Sequence, residues 1–190
     1  SVYSESHPLV ADVYSGIGQI YVNQANSAKA LDYYERSLKI YKSVFEEIHP
    51  KVANAYSGVG LAYLLMGDCT KALWYLERSV EIFKSIYGDS HDSIAAAYSN
   101  IGTAYIVQGD YATGLEYMDS SLAIYKSIYG ENHPVVANIY ANTGLMYNSL
   151  GNKYKALEYF EHSLKIYEFL YGENSQQAME LMNIISSLKN

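Results

Sequence analysis

Histidine recurs along this chain at His7, His49, His91 and His133, followed by proline in three of the four places and by Asp92 in the other. Around the last of them, in SIYGENHPVVANIY (127–140), Glu131, Asn132 and His133 set a carboxylate, an amide and an imidazole side by side. Such a trio could serve as a general acid–base pair or begin a metal site. A metal ion, however, needs its ligands within a few ångströms of one another, commonly two on one helix face or turn. These histidines stand 42 residues apart, one at the head of each copy of a repeated segment. The spacing predicts a cap on the helix that follows. Proline then occupies the first turn, where its missing N–H has no intrahelical partner to lose.

The remaining candidates for chemistry are weaker. Cys69 falls at a position held by Ser27, Tyr111 and Lys153 in the other copies, with Lys71 as its one nearby base, and reads as an incidental surface thiol. One cysteine forms no intramolecular disulfide and suits a reducing compartment, so a cytoplasmic location is expected. The carboxylates Asp32, Glu35, Glu77, Glu81, Glu116, Glu158 and Glu161 lie at helical spacing beside Arg36, Lys39, Arg78 and Lys165, as a solvated, ion-paired face does. No Ser-His-Asp, HExxH, GxGxxG or phosphate-loop pattern occurs. The expectation is a protein that is not an enzyme, with no metal and no cofactor.

The elements that position these residues come from an internal repeat. Ala11, Ala53, Ala95 and Ala137 align at the 42-residue step, as do Tyr14, Tyr56, Tyr98 and Tyr140. Further columns begin at Gly18, Tyr21, Leu31, Tyr33, Ser37 and Ile40 and recur in all four copies. Within a copy, Ala11, Tyr14, Gly18 and Tyr21 step by three and four, which predicts one face of a first helix, helix A. Gly67-Asp68, Gly109-Asp110 and Gly151-Asn152, with Ala25-Asn26 in the first copy, stop that helix and cap the next. Helix B then carries Ala30, Leu31, Tyr34, Leu38 and Tyr41. No segment alternates as a strand does, so the chain is all-α.

These motifs resemble the tetratricopeptide repeat (TPR): an aromatic, then Leu-Gly, then Tyr in helix A, with small and large residues following in helix B. Here they read Tyr14, Ile17-Gly18, Tyr21, Ala30, Tyr34 and Ser37. The family repeat is about 34 residues. The longer form, opened by HPxVA and with an extended helix B, resembles the repeats of kinesin light chains. The resemblance covers essentially the whole chain and implies a right-handed α-solenoid (superhelix) of antiparallel helix pairs. The expected organisation is a single array over residues 1–190, with repeats at 7–48, 49–90, 91–132 and 133–174. Residues 1–6, SVYSES, align with the end of a helix B, so the chain is expected to open within a repeat of a longer array. Residues 175–190 align with a helix A in which Met182 replaces tyrosine and Ser186 replaces glycine, as a capping helix would.

The resemblance also implies a function: a protein-interaction scaffold whose helix A faces line a concave groove that holds a peptide segment of a partner. Carried onto this chain, the groove residues are Asp12, Ser15, Gln19, Asn54, Ser57, Leu61, Leu64, Ser99, Asn100, Thr103, Asn138, Asn142, Leu145 and Asn148. Their columns vary among copies where the packing columns do not. Across the helix A segments 9–24, 51–66, 93–108 and 135–150 the only ionised residues are Asp12 and Lys51. The basic clamp that chaperone-binding relatives use for a C-terminal carboxylate is therefore missing. So is the positive charge that helps kinesin light chains hold acidic cargo peptides. A partner that is not strongly acidic is expected, although small residues here could equally serve tight superhelical curvature. A net charge of −7, with no run of basic residues, argues against nucleic acid and anionic membrane as partners. The most apolar stretch, 52–66, is shorter than the roughly 20 residues that span a bilayer. Alternatives to the scaffold are a regulatory or sensory domain of a larger signalling protein or enzyme, and self-association through the terminal repeats.

Overall fold

The computed structural model describes residues 6–189, so the helix ending expected at residues 1–6 lies, apart from Ser6, outside the described residues. Among those residues every regular element is an α-helix. They are α1 (Pro8–Asn23), α2 (Ser27–Val44), α3 (Pro50–Leu65), α4 (Cys69–Tyr87), α5 (Asp92–Val107), α6 (Tyr111–Tyr129), α7 (Pro134–Ser149), α8 (Lys153–Tyr171) and α9 (Gln176–Lys189). The chain divides into two compact units, residues 1–114 and 115–190. The first holds α1 to α5 and the second α7 to α9.

The histidines settle into a structural role. At α1, α3, α5 and α7 the imidazole Nδ1 of the preceding histidine accepts the backbone N–H two residues ahead, at 3.2 Å in each case. Three of these rings stack on an aromatic four residues earlier: His49 on Phe45 at 3.8 Å between centroids, His91 on Tyr87 at 4.0 Å and His133 on Tyr129 at 4.4 Å. A flat side chain with one in-plane acceptor meets both demands, which explains histidine in place of the more usual Ser or Asp cap. His49→Ala is expected to cost about 1 kcal/mol, the usual loss for a helix cap. His49→Asp should recover the capping bond but not the stacking. Thermal denaturation of the three proteins checks both expectations.

Between the helices of a pair, Gly67, Gly109 and Gly151 take φ of 80°, 87° and 72°, the left-handed backbone that ends a helix, and Ala25 takes 55° in the first copy. Asn26, Asp68, Asp110 and Asn152 then accept the N–H three residues on. The paired helices approach closely at a glycine. A Cβ at Gly18 would lie 2.8 Å from the Tyr34 ring, at Gly60 2.7 Å from Leu76, and at Gly144 2.9 Å from Phe160. The buried Ser37, Ser79 and Ser163 hydroxyls donate to the carbonyls of Ala11, Ala53 and Ala137 at 2.9, 2.9 and 2.8 Å, tying helix B to helix A. Each uses the second lone pair of a carbonyl whose first serves the helix.

Tyrosine does the remaining lateral packing. Tyr33 lies against Tyr14 and Tyr21, Tyr75 against Tyr56 and Tyr63, and Tyr159 against Tyr140 and Tyr147, with centroids 5.3–6.0 Å apart. Lys29, Lys71 and Lys155 cover the Tyr21, Tyr63 and Tyr147 rings at 5.1, 4.9 and 4.9 Å. Cys69 departs from the sequence reading. It is the first residue of α4 rather than part of the turn, and there its side chain folds into the helix pair and is only 5% exposed. Lys71, two residues on, is engaged with Asp68 at 3.0 Å and with the Tyr63 ring.

Candidate functional site

In the first unit, α1, α3 and α5 present their helix A faces to one concavity of about 340 Å³. Six of the residues expected in the groove line it: Ser15, Gln19, Asn54, Ser57, Leu61 and Asn100. Tyr34, Gly58, Ser93 and Ala96 complete the lining; Gly58 and Ala96 stand in the expected groove columns of Asn100 and Asn54, whereas Tyr34 and Ser93 were not expected there. Tyr34 belongs to a column otherwise filled by packing residues, which hid it. Its ring lies over Gly18 and Gly58, where an added Cβ would come within 2.8 and 2.7 Å, and its hydroxyl donates to Gln19 Oε1 at 3.2 Å. The signal in the sequence was the second glycine, Gly58, at a position that is Asn in the third and fourth copies.

Hydrogen bonding separates the polar lining into committed and uncommitted groups. Ser15 pairs with Ser37 at 2.7 Å and Ser57 with Ser79 at 3.3 Å. Gln19 takes the Tyr34 hydroxyl and donates to Asn23 at 3.3 Å. Ser93 donates to Asp92 at 3.3 Å. The Asn54 and Asn100 amides carry no such bond, so both keep their full hydrogen-bonding capacity for a ligand.

Asp12 stands apart from the cavity lining. Its carboxylate holds Lys51 Nζ at 2.6 and 2.7 Å and accepts the Tyr41 hydroxyl. The two ionised residues of the helix A faces therefore neutralise each other. The Lys51 hydrogen bonds, followed by that from Tyr41, hold the Asp12 carboxyl below its ordinary value of 3.8, while burial together with Asp12 pushes Tyr41 up to about 12. A carboxyl lowered by folding adds stability that is complete above pH 3.8 and is lost as pH falls through the folded-state value. Asp12→Asn is expected to flatten the acid limb of the stability curve below that pH while keeping an acceptor for Tyr41. Urea denaturation at a series of acidic pH values measures it.

The other expected residues fall elsewhere. Leu64, Ser99 and Thr103 are half-buried on α3 and α5, and the Thr103 hydroxyl is spent on the Ser99 carbonyl at 2.9 Å. Asn138, Asn142, Leu145 and Asn148 are exposed on α7 of the second unit. Asn138 accepts the Tyr167 hydroxyl at 2.6 Å. Among the described residues no group of three His, Cys, Asp or Glu could hold a metal ion, and no helix is long and apolar enough to cross a membrane.

Comparison with known proteins agrees with this architecture. Tetratricopeptide repeat models match residues 10–51, 51–112 and 93–169, and the chain belongs to the tetratricopeptide repeat family. No curated protein sequence matches it. Among solved structures, a Podosopora anserina protein described as a candidate kinesin light chain with nearly identical TPR-like repeats superposes with a TM-score of 0.77. It is 18% identical, over 96% of this chain and 86% of its own. BtubC (BKLC) from P. vanneervenii gives 0.80 at 18% identity, over 95% and 72%. A Rap protein complexed with Competence and Sporulation Factor gives 0.75 at 20% identity, over 92% of this chain and 47% of the Rap chain. The shared feature is the fold, an all-α TPR-like superhelix with kinesin-light-chain-like repeats.

Proposed function

We propose that the chain is a non-catalytic interaction module that holds an uncharged, extended peptide segment of a protein partner in the concavity of its first unit. The observation that carries this reading is the pair of uncommitted amides, Asn54 and Asn100, on a surface that also holds Tyr34 and Leu61. An asparagine amide offers both donors and an acceptor, the complement of a peptide main chain. Mutual neutralisation of Asp12 and Lys51 leaves no net charge to attract an acidic or basic segment. The Rap protein solved with Competence and Sporulation Factor supports a factor-binding role for this fold, at the level of analogy.

The test is a titration with two pools of end-blocked random pentapeptides, one neutral and one acidic, followed by fluorescence anisotropy. Saturable binding of the neutral pool over the acidic one is expected. Equal binding, or preference for the acidic pool, contradicts the reading.

A further inference from the structure

We infer that Phe83 keeps the Asn54 amide open to the ligand, and so sets which member of its column takes hold of a peptide; the inference rests on the groove reading above. The column of Asp12, Asn54, Ala96 and Asn138 is matched to an aromatic on helix B. Tyr41 donates its hydroxyl to Asp12, and Tyr167 donates to Asn138 at 2.6 Å, each across a step of 29 residues. The same step from Asn54 leads to Phe83, a ring 1% exposed that has no hydroxyl to give. Ala96 supplies no acceptor at all. The first and fourth copies therefore spend their polar group internally, and the second alone pairs a carboxamide with a ring that cannot hydrogen-bond it.

The consequence is chemical as well as positional. With its carbonyl unclaimed, Asn54 can accept a ligand N–H and donate to a ligand carbonyl together, which matches a neutral main-chain amide. A carboxylate would use the donating half alone. Phe83 acts through Asn54 and touches no ligand itself, which makes it a positioning residue.

Phe83→Tyr tests the inference without any ligand. In side-chain amide ¹⁵N spectra of the free protein, the Asn54 resonances should move as the new hydroxyl claims its carbonyl, while those of Asn100 stay in place. The variant should also bind the neutral pentapeptide pool about three- to tenfold more weakly, the usual worth of one hydrogen bond. Adding Asn54→Ala should cause no loss beyond that of Asn54→Ala alone. Tyr167→Phe is the reciprocal arm and should move the Asn138 resonances; it decides the matter if Phe83→Tyr does not fold. Unmoved Asn54 resonances in a folded Phe83→Tyr protein overturn the inference. So does peptide binding at the wild-type level once they have moved. Peptide binding insensitive to both Asn54→Ala and Asn100→Ala overturns the groove reading instead, a result the ligand-free spectra keep separate.

Discussion

Phe160→Ala is expected to lower the stability of the second unit by about 3–5 kcal/mol, the range for removing a fully buried aromatic ring. The ring is 0% exposed and lies against Gly144, at a distance that leaves no room for a Cβ. Removing it opens a cavity between α7 and α8 that neither backbone can close, because Ser163 fixes their separation through the Ala137 carbonyl. Phe160→Met, which conserves most of the volume, should cost less than about 1.5 kcal/mol. Gly144→Ala should destabilise by overpacking, and pairing it with Phe160→Met should recover part of the loss, a coupling that two independent sites would not show. Hydrogen exchange across residues 134–171 reads the effect in the second unit directly. It avoids the assumption that a repeat array melts in one step.

The second large effect concerns binding and spares stability. Asn54→Ala combined with Asn100→Ala is expected to weaken binding of the neutral peptide pool by about ten- to a hundredfold, as two bidentate amides are lost. The melting temperature should hold or rise slightly. Neither amide is bonded within the protein, and alanine is the better helix former by a few tenths of a kcal/mol. Loss of binding with loss of folding would instead mean that these side chains pack the array. Isothermal titration beside a thermal melt separates the two outcomes.

Much of the fold was legible because it is written four times. The tyrosine, glycine and serine columns hold in every copy of the sequence, and in the first, second and fourth copies the structure gives them one task each: stacking, close approach, and a bond to the helix A carbonyl. The histidine caps were also readable from the spacing. Their stacking on Phe45, Tyr87 and Tyr129 was missed, although an aromatic four residues before each histidine was in view. What remained hidden occurs once. The Asp12–Lys51 pair joins residues 39 positions apart in different copies, and no column repeats it. Tyr34 was hidden by its membership of a packing column, since only Gly58 turns it into groove lining. Asn54 and Asn138 look alike in sequence. Their difference lies in Phe83 and Tyr167 on another helix, so the free amide becomes visible only when the two helices are seen together.

The account is tested most directly by following the side-chain amide resonances of Asn54 and Asn100 while the neutral, end-blocked pentapeptide pool is added to the full chain. Both resonances are expected to shift together and saturate, with Asn138 unmoved and the acidic pool without effect. Shifts confined to the helix B faces, or Asn54 and Asn100 silent while the peptides bind, would contradict it.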